Sequence, residues 1–304
     1  NSYNTAVGYS AGNDVTTGVQ NTLIGGLAGD ALQDADYNVA VGYEALSADT
    51  FGSRSTALGR QALASQNFAS ATDAYNTGVG FNAGVTLTTG VQNTLVGGLA
   101  GDALTDADYN VALGSAALSS DTLGNRATAL GTFALFSQNF QSATDNYNVA
   151  VGYAAGNVIT TGTLNTLVGG LAGDAITTAN QNTAVGYSAL GLTTTGVQNV
   201  AIGDHSLDAN TTAHYNTAVG SHSLGANTTG AGNSALGKGS LGANTTGENN
   251  VAVGANALDA NTTAANNTAV GYSSLGANTT GERNTAVGSL AGDALTDADD
   301  NVAI

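Results

Sequence analysis

Val, Ile or Leu recurs at one fixed place along this chain, preceded by Asn-Thr-Ala or a close variant and followed by Gly. The phrase starts at Asn4, Asn21, Asn38 and Ser55, again at Asn76, Asn93, Asn110 and Ala127, and then at Asn148. From Asn148 it returns every 17 residues as far as Asn301. Two earlier steps are 21 residues long, so 4–75 and 76–147 form a 72-residue super-repeat, followed by regular coils over 148–304. We number the coil from its Asn, which makes the aliphatic residue position 4 and the Gly position 5. Position 2 is Thr, Val or Ser, position 8 is Ala or Ser, and position 9 is Leu or Gly. A run of β-branched and small residues closed by Gly predicts a short strand and a sharp corner. Helix is excluded, because Gly, Asn and Thr recur too often for one. The predicted fold class is all-β, a parallel β-solenoid or β-roll of about 17-residue coils, and 1–304 reads as one continuous stack.

Stacking turns each position into a column of like residues about 4.8 Å apart. Position 4 (Val7, Val253, Val270) is expected to form an inner ridge, with the position-9 leucines on the opposite inner wall. Gly8, Gly254 and Gly271 mark corners that need positive φ or leave no room for a Cβ. The Asn column predicts a ladder of hydrogen-bonding amides. Position 3, Ala in most coils but Leu at Leu23, Leu95 and Leu167, should then face outward. It is expected to be a subunit interface, or else a lightly covered solvent face.

Composition narrows the function classes. The 304 residues include 43 Gly and no Pro, Cys, Met or Trp, and 22 acids face five bases for a net charge of −17. A phosphate backbone needs clustered Lys and Arg, so no nucleic-acid partner is expected. Disulfides and thiolate metal sites are excluded. No apolar run is long enough to span a bilayer, so no membrane insertion is expected within this segment. The chain opens without Met and stops in mid-pattern, which reads as a piece of something longer.

The phrases Asn4-Thr5-Ala6-Val7-Gly8, Asn250-Val251-Ala252-Val253-Gly254 and Asn284-Thr285-Ala286-Val287-Gly288 resemble the head repeats of trimeric autotransporter adhesins. The longer unit, Asn267-Thr268-Ala269-Val270-Gly271 continued through Gly276-Ala277-Asn278-Thr279-Thr280-Gly281, is similar to phage tail-fibre shaft repeats. The resemblance covers essentially the whole chain, though the coil is longer than the usual autotransporter head repeat. It implies a left-handed β-roll and a side-by-side homotrimer. It also implies an extracellular place, on a virion tail fibre or a bacterial cell surface.

Candidate chemistry is sparse. Each 21-residue coil inserts four residues, near 64–74 and 136–146, and insertions in solenoids become loops that often bind. Phe68, Phe136 and Phe140 there are candidates for glycan or receptor contacts, or plugs against their own coil. Tyr37, Tyr43 and Tyr109, from columns flanking the strand, are binding candidates or structural shields. Asp30, Asp34 and Asp36 recur as Asp102, Asp106 and Asp108, and either set could hold Ca²⁺ or form a solvated corner. No other cofactor is expected. His205 and His222 lie one coil apart at position 7, with no third ligand evident. Five Asn-Thr-Thr triplets, beginning at Asn210, Asn227, Asn244, Asn261 and Asn278, read as turns that are also glycosylation sequons. No catalytic grouping or phosphate loop appears, so an enzyme is not expected. The function expected is a structural or adhesive fibre segment. The alternatives are an ice-binding solenoid using the Thr-Thr column, and a spacer in a cellular extracellular filament.

Overall fold

The computed structural model describes residues 2–304 and contains no helix among them. It is a parallel β-solenoid of coils of about 17 residues. Two compact units are separable, one running to Tyr153 and the other Ala154–Ile304. In the first, nine three-residue strands from Thr5–Val7 to Val149–Val151 pair in parallel, each with the strand of the next coil. In the second, nine strands from Thr166–Val168 to Val302–Ala303 do the same. Register is strict: position 2 faces position 2, and so on through position 4, as with Thr183, Ala184 and Val185 against Val200, Ala201 and Ile202.

Apart from two short strand pairs beside the long coils, strand is confined to positions 2–4, yet backbone bonding continues around the coil. Backbone N–H groups at positions 5, 7, 9, 13 and 17 also reach a neighbouring coil, as Gly25, Leu27, Leu46, Thr88 and Tyr37 illustrate. Corners between these bonds lie at positive φ. Position 5 is always Gly, near +132° to +141°, whereas positions 7 and 17 in nearly every coil, and position 9 where it is Leu, hold ordinary residues at +48° to +64°. The ordinary residues sit in the left-handed helical well, which costs them about 1 kcal/mol each. The stacking bonds and the burial of the position-9 leucines offset that cost.

The interior differs from the expectation at one point. Position 3 is the inward column: Ala40, Leu95, Leu167 and Ala252 are fully buried, and the middle residue of nearly every strand is its least exposed. Position 4 faces outward instead. Val7 is 58 % exposed, Leu113 51 % and Leu236 50 %, and Val253 and Val270 are half-buried. The physical reason is the narrowness of the coil. Residues at 1, 3, 8, 9, 12 and 15 already fill it, and Ala is the size that fits opposite a Leu.

Volume is shared between positions 9 and 12. Ten coils carry Leu at 9, and every one of these has Asp, Gln, Thr or Asn at 12. Seven carry Gly at 9, and every one of these has Val, Leu or Ile at 12. A Cβ on Gly29 would come within 2.7 Å of Leu23 and 2.8 Å of Leu32. One coil therefore holds a large aliphatic at 9 or at 12, never at both.

Two polar columns run inside. At position 1, within each unit, the Asn Oδ1 typically accepts the backbone N–H of the first residue of the next coil, as Asn216 accepts from Asn233 at 2.9 Å and Asn38 from Ser55 at 2.8 Å. Its Nδ2 donates across the coil, Asn216 to the Gly230 carbonyl at 2.9 Å. The ladder expected of this column is present, running from side chain to backbone. A second amide ladder occupies position 12, where Asn244 Nδ2 donates to Asn227 Oδ1 (2.9 Å) and Asn261 Nδ2 to Asn244 Oδ1 (2.8 Å). The five sequon asparagines are thus fully buried rather than turn residues at the surface.

Candidate functional site

Positions 17, 2, 4 and 6 alternate with the buried positions 1 and 3 and the tight Gly corner, so their side chains point out together. Each unit therefore presents a face with a central ridge of Val, Ile and Leu at position 4, beside a row of Thr and Val at position 2. Tyrosines border the ridge on both sides. Tyr3, Tyr75, Tyr147 and Tyr215 stand at position 17, with Tyr9, Tyr153, Tyr187 and Tyr272 at position 6, all more than half exposed. Positions 2 and 4 carry no charged residue in any coil, in a chain whose net charge is −17.

The three tyrosines singled out by sequence all touch arginine. The Arg54 guanidinium lies 4.6 Å from the Tyr37 ring centroid and 5.9 Å from that of Tyr75 in the same column, and its Nε meets Asp73 at 2.9 Å. Arg126 repeats the arrangement with Tyr109 (4.6 Å), Tyr147 (6.0 Å) and Asp145. Its hydrogen bond to Asp145 holds that carboxyl below the usual range. Arg60 stands between Tyr43 and Phe81. Three of the five bases are therefore set between stacked aromatic rings, a cation–π arrangement that rigidifies the rims.

The long coils place their aromatics differently. Phe68 and Phe140 are 5 % exposed, tucked against the coil over Gly52 and Gly124. Phe136 is half-buried and meets Phe133 edge-on at 5.6 Å. The exposed tips of the insertions are Ala69-Ser70-Ala71 and Gln141-Ser142, which offer no aromatic surface. Beyond each tip the chain pairs again, Thr72–Asp73 beside Gly52–Ser53 and Thr144–Asp145 beside Gly124–Asn125. Beneath each plug lies a buried carboxylate. Asp49 accepts from the N–H groups of Gly52 and Phe68 and from Gln66 Nε2, and Asp121 accepts from Gly124, Phe140 and Gln138. Burial pushes the Asp49 carboxyl up despite these bonds.

The acidic segments are spread around the coil. Asp36 and Asp108, at position 16, accept the backbone N–H of Val19 and Val91. Asp34 and Asp106, at position 14, accept from Thr17 and Thr89 hydroxyls at 2.7 Å. Asp102 accepts from Ser119, while Asp30 Oδ1 is buried with no partner. Neither triad is drawn into a shared cluster of donor atoms.

Desolvation raises the Asp30 carboxyl, helped by Asp14 and Glu44 nearby. A raised folded-state pKa means that this group's contribution is in place below the unfolded value, about 3.9. The contribution is lost as pH rises through the folded value. Asp30→Asn is accordingly expected to raise the Tm at neutral pH and to change it less near pH 4. A Tm series across that range checks this, and Asn13 and Asn157 show that position 10 accepts the amide.

Neither the family models nor the curated proteins give a match to this chain. The outward ridge is the feature that the sequence pattern hides, because hydrophobicity alone puts position 4 inside. A usable signal existed: Leu23, Leu95 and Leu167 occur only in coils whose position 9 is Gly, and such trading of volume belongs to residues sharing an interior.

Proposed function

We propose that this chain is a structural and adhesive fibre segment whose outward sheet face packs against further copies of the same chain. Three chains is the number implied by the resemblance to adhesin heads and tail-fibre shafts, and the extracellular setting comes from the same source. The observation that carries the reading is the exposed, uncharged aliphatic ridge at position 4. Soluble monomers rarely leave a contiguous apolar face of this extent open to water. Completing the burial of a half-exposed Val or Leu contributes about 1 kcal/mol, and the contribution repeats on every coil. A chain this acidic would repel its copies over most of its surface. Columns 2 and 4 supply the surface where that repulsion is weakest, and the tyrosine rims remain available for a glycan or receptor.

The ice-binding alternative draws less support. Thr hydroxyls at position 13 donate to the carbonyl of the next coil, as Thr228 does to Thr245 at 3.0 Å, and in the Asn-Thr-Thr coils this row is half-buried while the position-14 row is exposed.

Light scattering during size exclusion tests the proposal. The expected mass is near three times 29.6 kDa. Leu236→Asp, which sets a carboxylate in the ridge, should shift the mass toward the monomer while the far-ultraviolet circular dichroism stays unchanged. Thr246→Asp, on the exposed position-14 row, should leave the assembly intact. A wild-type monomer, or equal masses for all three proteins, would sink the proposal.

A further inference from the structure

We propose that Asp204, His205 and His222 form a binding site for a divalent transition metal of the Zn²⁺ class. Among the described residues they are the one group of three or more potential metal ligands whose donor atoms lie together, all within 4.8 Å of one another. The carboxylate that no sequence spacing made evident comes from position 6, one residue before His205. It is carried next to His222 because the His222 N–H donates to the Asp204 carbonyl at 3.0 Å.

Three features make this a metal site rather than an ordinary ion pair. His205 Nδ1 lies 3.1 Å from Asp204 Oδ1, yet it is buried and makes no hydrogen bond, so the two atoms are close but misaligned. Two donors on a tetrahedral Zn²⁺, each about 2.0–2.1 Å from the metal, stand roughly 3.3 Å apart, which matches this pair. The two imidazoles, in adjacent coils, have centroids 5.4 Å apart and planes 21° apart, so both can turn a nitrogen to a common point without backbone movement.

The backbone beneath is rigid. Both histidines hold left-handed conformations (φ 49° and 55°) fixed by stacking bonds, with His205 N–H donating to the Tyr187 carbonyl. Nearby charge favours a cation: His205 also lines a shallow depression with Asp174 and Asp208. Two imidazoles with one carboxylate suit Zn²⁺, Co²⁺ or Ni²⁺ and are poor ligands for Ca²⁺, which prefers a shell of oxygens. His214 is outside the site, because its Nδ1 accepts the Val197 N–H at 2.9 Å in another column.

Co²⁺ is the probe, added to the full chain freed of any affinity tag and followed by calorimetry and by its visible absorption. Uptake of about one Co²⁺ per chain, with a band typical of nitrogen and oxygen ligands and displaced by Zn²⁺, is expected. His222→Asn should weaken binding at least about 100-fold, since even the loss of outer-shell partners costs about 10–100-fold. Asn82 and Asn256 hold the same left-handed position, so the variant keeps the coil. Asp204→Ser, matching Ser221 one coil on, removes a different ligand and should weaken binding in parallel. His214→Asn, matching Asn180 in its own column, should bind like the wild type. No uptake by the wild type, or uptake unchanged in both ligand variants, would overturn the assignment.

Discussion

Gly271→Ala is expected to destabilise the protein by about 4 kcal/mol or more, although it adds a single methyl group. Gly271 sits at φ +139°, a region that L-residues with a Cβ rarely enter. Holding a non-glycine residue there costs about 1–3 kcal/mol. The steric term comes on top, because the new Cβ would land on the carbonyl of Gly288 in the next coil. That carbonyl is backbone inside a stacked rung and cannot swing away like a side-chain end. Relief requires the rung to open, which breaks stacking bonds such as that from the Gly288 N–H to the Val270 carbonyl, at about 1 kcal/mol each. Gly276→Ala is the internal control. Its backbone is unexceptional and its Cβ would meet Ser273 O at 3.1 Å, so the expected change is below about 1 kcal/mol. Urea unfolding of the two variants decides the matter. Equal stabilities would show that position 5 is not the stacking corner described above.

This corner was fully legible in the sequence, and the reason is geometric. A site with positive φ and a backbone atom in the place of Cβ accepts one residue type, so seventeen of seventeen coils spell it the same way. The period, the strand and the Asn ladder were legible on similar grounds, since each is repeated under the same constraint. Facing was not. In Thr-Ala-Val the alternation shows that Ala and Val point to opposite sides, but it does not say which side is inside. Hydrophobicity favours burying Val, and here it misleads, because the coil is too thin to hold Val7 opposite the residues at 9 and 12. Ala enters because it is small, and Val stays outside, where another surface can cover it. The metal-ligand cluster was half legible. The periodicity brought His205 and His222 together, while Asp204 depends on a side-chain direction that column counting does not give. The sequence leaves Phe68 and Phe140 open between plugs and binding contacts, and the plug is the reading found. The buried Asp49 and Asp121 beneath them stand at position 12 of ordinary coils, and the Phe68 and Phe140 N–H groups that they accept come from the inserted loops, which only two coils carry.

The exchange of volume between positions 9 and 12 yields the second large effect, and it is best read as a double-mutant cycle in coil 267–283. Leu275, at position 9, is fully buried, so Leu275→Gly removes a whole core side chain and is expected to cost about 3–5 kcal/mol. Asn278→Leu, at position 12, forces a second aliphatic beside Leu275 and should cost about 1–3 kcal/mol through overpacking. It also removes the bonds from Asn278 Nδ2 to Gly281 O and Asn261 Oδ1. Asn278 is the right member of its ladder to change, because it ends the column and its own Oδ1 already has no partner. Together the two substitutions recreate the Gly-and-Leu arrangement that the following coil carries at Gly292 and Leu295. The double variant is therefore expected to be more stable than the sum of the singles by about 2 kcal/mol or more, well outside the scatter for independent sites. Additive costs would mean that the pairing of residues at 9 and 12 reflects copying of the repeat and not a shared interior volume. A favourable coupling would make volume exchange within one narrow coil the rule by which this chain varies its sequence while keeping its register.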